Sequence, residues 1–175
     1  AGTLQFDGAL PVAVPVRVTG GSVLLAPGNA DIFDNGTAVF LDGGGLTATG
    51  SVAEVLGQLS LLSESRIDFG NGSALLEFSS ANASMWTGAL HVLNWTGGTD
   101  QFRFDSPGGL DATQLGAIQF FSDNGSTPLG SGAVFDGNQL VPDTSASVPE
   151  PSATAALLLA AGAVALRRRR GTASH

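Results

Sequence analysis

The sequence contains no cysteine, no tyrosine and no lysine, and only one methionine and two histidines. Without cysteine there is no disulfide and no thiolate metal site, and the missing thiols leave the compartment open, because exported bacterial proteins often lack them. Without lysine a phosphate-binding glycine loop ending in Lys-Ser/Thr is excluded. Neither a Gly-x-Ser-x-Gly elbow nor a His-Glu-x-x-His pair occurs. Of the two imidazoles, His175 ends the chain and His91 lies between Leu90 and Val92 in an alternating stretch, where a solvated strand position is the expected role.

Charge is also scarce, at 13% of residues against about a quarter in ordinary domains. Its distribution is lopsided. Before Pro149 there are three arginines (Arg17, Arg66, Arg103) and fourteen carboxylates, a formal −11, whereas the other four arginines are consecutive near the C-terminus. An acidic body argues against a nucleic-acid partner. No cofactor and no metal is expected. The acids of Asp34-Asn35-Gly36, Asp42-Gly43 and Asp123-Asn124-Gly125 are read as turn residues that bond their own backbone, since none has the spacing of a calcium loop. Asp68 and Glu77 are the pair to watch as glycosidic carboxylates, should their strands prove adjacent.

What the chain has in abundance is glycine, 25 residues, and short apolar runs. Leu4-Gln5-Phe6 alternates, Val12, Val14, Val16 and Val18 recur at period two, and Ser22–Leu25, Thr37–Leu41 and Gly45–Thr49 follow. Gln58–Leu62, Arg66–Phe69, Ala74–Phe78, Gly88–Trp95, Gln101–Phe104, Ile118–Phe121 and Ala133–Phe135 continue the series. Asn, Asp and Gly between them supply the backbone conformations of tight turns. Many short strands at this spacing predict an all-β body over residues 1–135, either a parallel β-solenoid or, as the alternative, a β-sandwich. One turn of helix is expected from Ala112 to Ala117, because Asp111 followed three places later by Gln114 forms a capping box. Residues 136–148, polar and rich in Pro, Ser and Thr, read as a flexible linker.

The C-terminal end has three parts in a fixed order. Pro149-Glu150-Pro151 is a stiff extended hinge. Ser152 to Leu166 carries no charge and is dominated by Ala155, Leu157, Leu158, Leu159, Val164 and Leu166 among its apolar residues. Arg167, Arg168, Arg169 and Arg170 then stop the run, and residues 171–175 form a short tail. The pattern predicts a single C-terminal transmembrane helix with its arginines on the cytoplasmic side. At about 1.5 Å per residue it spans only about 22 Å of a roughly 30 Å hydrocarbon core, which suits a temporary anchor.

Val148-Pro149-Glu150-Pro151-Ser152, the apolar stretch and the arginine cluster resemble the PEP-CTERM sorting signal of exported bacterial proteins, here over residues 149–170. The resemblance implies an exosortase as processing partner, with cleavage near Pro149-Glu150-Pro151. It also implies removal of an export signal peptide, transient residence in the inner membrane through the C-terminal helix, and delivery to the cell surface or an extracellular polysaccharide matrix. In the body, Ser65–Gly72, Trp86–Trp95, Gly97–Phe104 and Leu110–Phe120 resemble the closing segment of autotransporter-associated β-strand repeat proteins, which implies a right-handed parallel solenoid.

Two functions follow as expectations. The first is a non-enzymatic, exported structural protein of the surface or matrix. The second is a glycan-binding or glycan-cleaving module, for which Trp86 and Trp95 are the candidate stacking residues, although core packing is the more ordinary use of such rings.

Overall fold

The computed structural model describes residues 2–6, 9–10, 12–26, 31–106 and 109–145. In chain order the strands are β1 (Thr3–Phe6), β2 (Val16–Thr19), β3 (Ser22–Leu25), β4 (Val39–Asp42), β5 (Gly45–Ala48) and β6 (Ala53–Leu61). They continue as β7 (Ser65–Asp68), β8 (Leu75–Trp86), β9 (Leu90–Leu93) and β10 (Gln101–Ser106). Helix α1 (Ala112–Gly116) precedes β11 (Ile118–Phe120), β12 (Ala133–Asp136) and β13 (Gln139–Pro142).

Odd-numbered strands up to β11 form one sheet and even-numbered strands up to β10 form the other. Within both series every neighbour is parallel. A parallel neighbour needs a crossover, and here the crossover is the strand laid into the opposite sheet. The result is a parallel β-solenoid of about four turns, not the sandwich kept as the alternative. The coil length drifts, which is why no fixed period shows in the sequence. Along one sheet the register advances 23 residues from Ser22 to Gly45, 21 from Gly45 to Arg66, 25 from Arg66 to His91 and 28 from His91 to Gln119.

Alternation within each strand decides which side chains enter the space between the sheets. In β7, Ser65 and Ile67 are buried between the outward Arg66 and Asp68, and in β10, Phe102 and Phe104 are buried between Gln101, Arg103 and Asp105. The interior changes character along the stack. Early coils contribute Val23, Leu25, Leu41, Leu46 and Leu61, whereas later coils contribute Phe69, Phe78, Phe102, Phe104 and Phe120. Phe102 meets Phe69, Phe78 and Phe104 at edge or tilted angles, with centroids 6.4, 6.0 and 5.1 Å away, and Phe78 and Phe104 stack at 5.8 Å.

Glycine is abundant because the turns of successive coils lie against each other. A Cβ on Gly88 would stand 2.2 Å from the carbonyl carbon of Ser63 one coil earlier. Gly72 (φ +140°) bridges Gly50 in parallel, and a Cβ there would meet the Gly50 oxygen at 2.5 Å. A side chain at either place would push the coils apart.

The capping box is present as the sequence predicts. Asp111 accepts the Gln114 N–H at 2.8 Å, and Gln114 Oε1 accepts the Asp111 N–H at 3.0 Å. The other Gln114 function was not foreseen: its amide Nε2 donates to the carbonyls of Ala83 and Trp86, fixing α1 against the far end of β8.

Three expectations need correction. The first is the transmembrane helix: among the described residues none is long and apolar enough to cross a membrane, the single helix being the five-residue α1. The stretch proposed for that helix, with Ala155, Leu157, Leu158, Leu159, Val164 and Leu166, lies outside the described residues, as do Pro149–Pro151 and Arg167–Arg170. The second concerns residues 136–148, where β13 replaces much of the expected linker and the compact unit runs to Thr144. Leu140 is the reason, since it is fully buried beneath the antiparallel β12–β13 hairpin that closes the second sheet. The third concerns Val12 and Val14, which keep period two but lie exposed before β2 begins at Val16.

Candidate functional site

The turns hold most of the polar chemistry, and much of it is structural. Asp34 Oδ1 accepts the Gly36 N–H, Asp68 Oδ1 accepts the Gly70 N–H, and Asp123 accepts from Gly125, Ser126 and Thr127. These backbone donors, together with the Thr127 hydroxyl, hold the Asp123 carboxyl below its ordinary pKa. Asn94 (φ +55°) donates through Nδ2 to Asp68 at 2.7 Å and to Asn124 at 3.0 Å, so one amide stitches three successive coils. Asp42 differs from the other turn acids, for it accepts from Arg17 and from Ser63, and these partners lower its pKa.

Two carboxylates are buried. Glu54, outwardly an unremarkable strand residue in sequence, is fully buried and accepts the N–H groups of Ile32 and Phe33 at 2.8 and 2.7 Å. It thereby ties the β3–β4 connection onto β6. Asp100 accepts from Thr96 at 2.7 Å and from Ala74 at 3.3 Å. In both, loss of hydration raises the pKa more than the backbone donors lower it. Each is committed to backbone donors and serves the fold.

The candidate site lies elsewhere, on the outer face of the second sheet near its closed end. Register sets the row. Glu77 of β8 pairs with Arg103 of β10, Arg103 with Gln139 of β13, and Gln139 with Asp136 of β12. Neighbouring strands are about 4.8 Å apart, so a carboxylate, a guanidinium, an amide and a second carboxylate follow one another across four strands. With Asp105 and Asn138 they line a cleft of about 220 Å³. Phe102 and Phe104, buried on either side of Arg103, aim it outward by alternation.

Arg103 also differs in its bonding. Arg17 is paired with Asp42 and Arg66 donates to Ser22 Oγ at 2.7 Å, but Arg103 makes no side-chain hydrogen bond or ion pair among the described residues. The carboxylates of Glu77 and Asp136 are likewise without a partner among them. The sequence held two signs of this site: Arg103 is one of only three arginines in the body, and it stands in the alternating Gln101-Phe102-Arg103-Phe104. Nothing local announced that β13 would bring Gln139 alongside it.

The residues singled out from sequence are placed differently. Asp68 belongs to β7 in one sheet and Glu77 to β8 in the other, so the two acids are not on neighbouring strands and do not form the pair considered. Trp86 and Trp95 are 4% and 3% exposed, with Trp95 packed edge-on against Phe69 and Phe120. A stacked sugar needs an open ring face, and these rings are spent on the core. His91 is half-buried, edge-on to Phe121 at 5.6 Å. Among the described residues no group of three His, Cys, Asp or Glu side chains converges as a metal site. No family model, no curated protein and no solved structure matches this chain.

Proposed function

We propose that the chain is a non-enzymatic structural protein, exported and delivered to the cell surface or extracellular matrix, whose C-terminal sequence is a sorting signal recognised by an exosortase. The observation that carries the reading is the ordered sequence Pro149-Glu150-Pro151, an uncharged run from Ser152 to Leu166, and Arg167 to Arg170. The fold of the body supports it. A solenoid gains stability by repeating one inter-coil interface and presents long, regular faces, which suits a passive surface element. A body with a formal −11 before Pro149, of which Glu54 and Asp100 are buried, presents a net-acidic surface that favours solubility outside the cell and disfavours anionic partners.

The test is the mass of the mature C-terminus, measured on protein recovered from the surface of a bacterium that encodes an exosortase. The expected product ends near Pro149-Glu150-Pro151 and lacks Arg167–Arg170. Replacing Pro149, Glu150 and Pro151 together by alanine is expected to leave the tail attached and the protein unsorted. Surface protein that still ends at His175 overturns the reading.

A further inference from the structure

We infer that the cleft around Arg103 binds a neutral, hydroxyl-rich ligand, one saccharide unit at a time. The inference stands on the described body alone and does not depend on the sorting signal. Four features of the cleft select this chemistry.

The first is the mixture of functions. Glu77, Asp136 and Asp105 accept hydrogen bonds, Arg103 only donates, and Asn138 and Gln139 do both. Each hydroxyl of a sugar is at once donor and acceptor, so a ring bearing several of them satisfies such a set without carrying charge. The second is net charge. Three carboxylates against one guanidinium repel phosphate, sulfate and uronate. The net charge attracts a cation, but no group of three metal-binding side chains is present among the described residues to hold one.

The third feature is that the charged groups are unspent, while the Asn138 and Gln139 amides donate only long hydrogen bonds, 3.4 Å each, to the carbonyls of Asp105 and Asp100. Glu77 and Arg103 occupy paired positions on adjacent strands, where opposite charges ordinarily meet, yet they form no ion pair. Both are half-buried, so their hydrogen-bonding capacity is directed into a partly desolvated cleft, where an incoming hydroxyl gains most. The fourth is size and rigidity. At about 220 Å³ the cleft is below the roughly 300–1,000 Å³ that hold drug-sized ligands, and it fits a single small ring. Its walls are strands and a hairpin locked by Phe104 and Leu140 underneath, so the row is preformed.

The experiment is an amide and side-chain NMR titration of the full chain with methyl α-D-glucopyranoside, methyl α-D-galactopyranoside and N-acetyl-D-glucosamine. Glucuronate, inorganic phosphate and calcium chloride serve as the charged comparisons. At least one neutral sugar is expected to move the Arg103 Nε–H and the Asn138 and Gln139 side-chain signals, with half-saturation in the millimolar range. R103M is expected to weaken that binding about tenfold and E77Q by less. R103K, which keeps the charge but loses the planar fork, should fall between them. A neutral polymer of the preferred sugar tests whether the unit is also taken within a chain. All three variants alter outward side chains, and unchanged circular dichroism shows that the fold is intact. If an expected variant does not fold, D136N takes its place. The inference is overturned if no neutral sugar perturbs the cleft, if phosphate, glucuronate or calcium binds as tightly, or if the folded variants bind as the parent does.

Discussion

The two ends of the solenoid are built differently. At the first, β1 pairs only with β3 and β2 only with β4 among the described strands. Leu4, Val12 and Val14 are 58%, 63% and 59% exposed, and the nearby core is mainly aliphatic, with Phe33, edge-on to Phe6 of β1, as its aromatic exception. At the other, α1 lies against the last turns, the antiparallel β12–β13 hairpin ends the second sheet, and the interior is aromatic. A solenoid is a one-dimensional stack in which each coil is stabilised by its two neighbours. Among the described residues the last coils are covered by a helix and a hairpin, whereas no such element lies against β1 and β2. Within the described residues the difference leads to the expectation that side chains of the covered, aromatic coils weigh more in stability than those of β1 and β2.

The largest effect should come from the aromatic end. Phe102 contacts Phe69, Phe78 and Phe104 and is fully buried. Phe102→Ala is expected to cost about 3–5 kcal/mol in urea unfolding, because the rings around it cannot close the cavity. A loss no greater than that of an equivalent truncation at the aliphatic end, such as Leu25→Ala, would break the comparison.

Next comes the stacking of turns. Gly88→Ala puts a methyl onto the Ser63 backbone and is expected to cost about 1–3 kcal/mol. Gly116→Ala is its counterpart at the cap. Nothing lies within 4 Å of a Cβ there, and helix propensity favours alanine by about 0.5–1 kcal/mol. The two substitutions should therefore move the unfolding midpoint in opposite directions.

How much of this was legible follows from the range of the forces involved. Alternation in Arg66-Ile67-Asp68-Phe69 and Gln101-Phe102-Arg103-Phe104 is a local property, and it gave strands and inward faces correctly. The Asp111–Gln114 box is equally local. Assignment of strands to two sheets was not local, so Asp68 and Glu77 were considered as neighbours although each successive strand from β1 to β11 lies in the opposite sheet. Leu140 was one apolar residue in a polar stretch. Only its place under β12 makes it core, and only β13 carries Gln139 to Arg103. The buried Glu54 was invisible for the same reason, since its donors at Ile32 and Phe33 are more than twenty residues earlier.

Acidity offers a gentler probe that cuts across the two ends. Glu54 and Asp100 have raised pKa values in the folded state, chiefly through burial. Their protonated forms favour the fold, so their contribution is fully present below the unfolded values of 4.5 and 3.8 and is lost as pH rises through the folded ones. Asp42 and Asp123 act oppositely: their contribution is present above 3.8 and lost as pH falls. Stability in urea is therefore expected to rise as pH is lowered through the folded values of Glu54 and Asp100, which lie above 4.5 and 3.8, then to turn over below 3.8 as Asp42 and Asp123 are protonated. Glu54→Gln should flatten the rising limb, because its amide no longer titrates, while leaving the acid limb in place. A variant with the parental slope on the rising limb would remove Glu54 from this account.

The smallest effects belong to β1 and β2. Leu4→Ala removes an exposed side chain from an edge strand whose first three residues are all exposed, and it should change stability by no more than about 0.5 kcal/mol. Arg17→Ala breaks the ion pair with Asp42, but Arg17 is itself 60% exposed, so the pair is screened by water and salt. Its removal should leave the unfolding midpoint unchanged at physiological ionic strength and lower it, if at all, only in dilute buffer. Hydrogen exchange supplies the independent reading. Amides of β1 and β2 should exchange through local opening, whereas those of β8 and β10 should exchange only with global unfolding. Equal protection at the two ends, or a salt-independent loss on replacing Arg17, would mean that the first coils are held by something other than the single neighbour each strand has here.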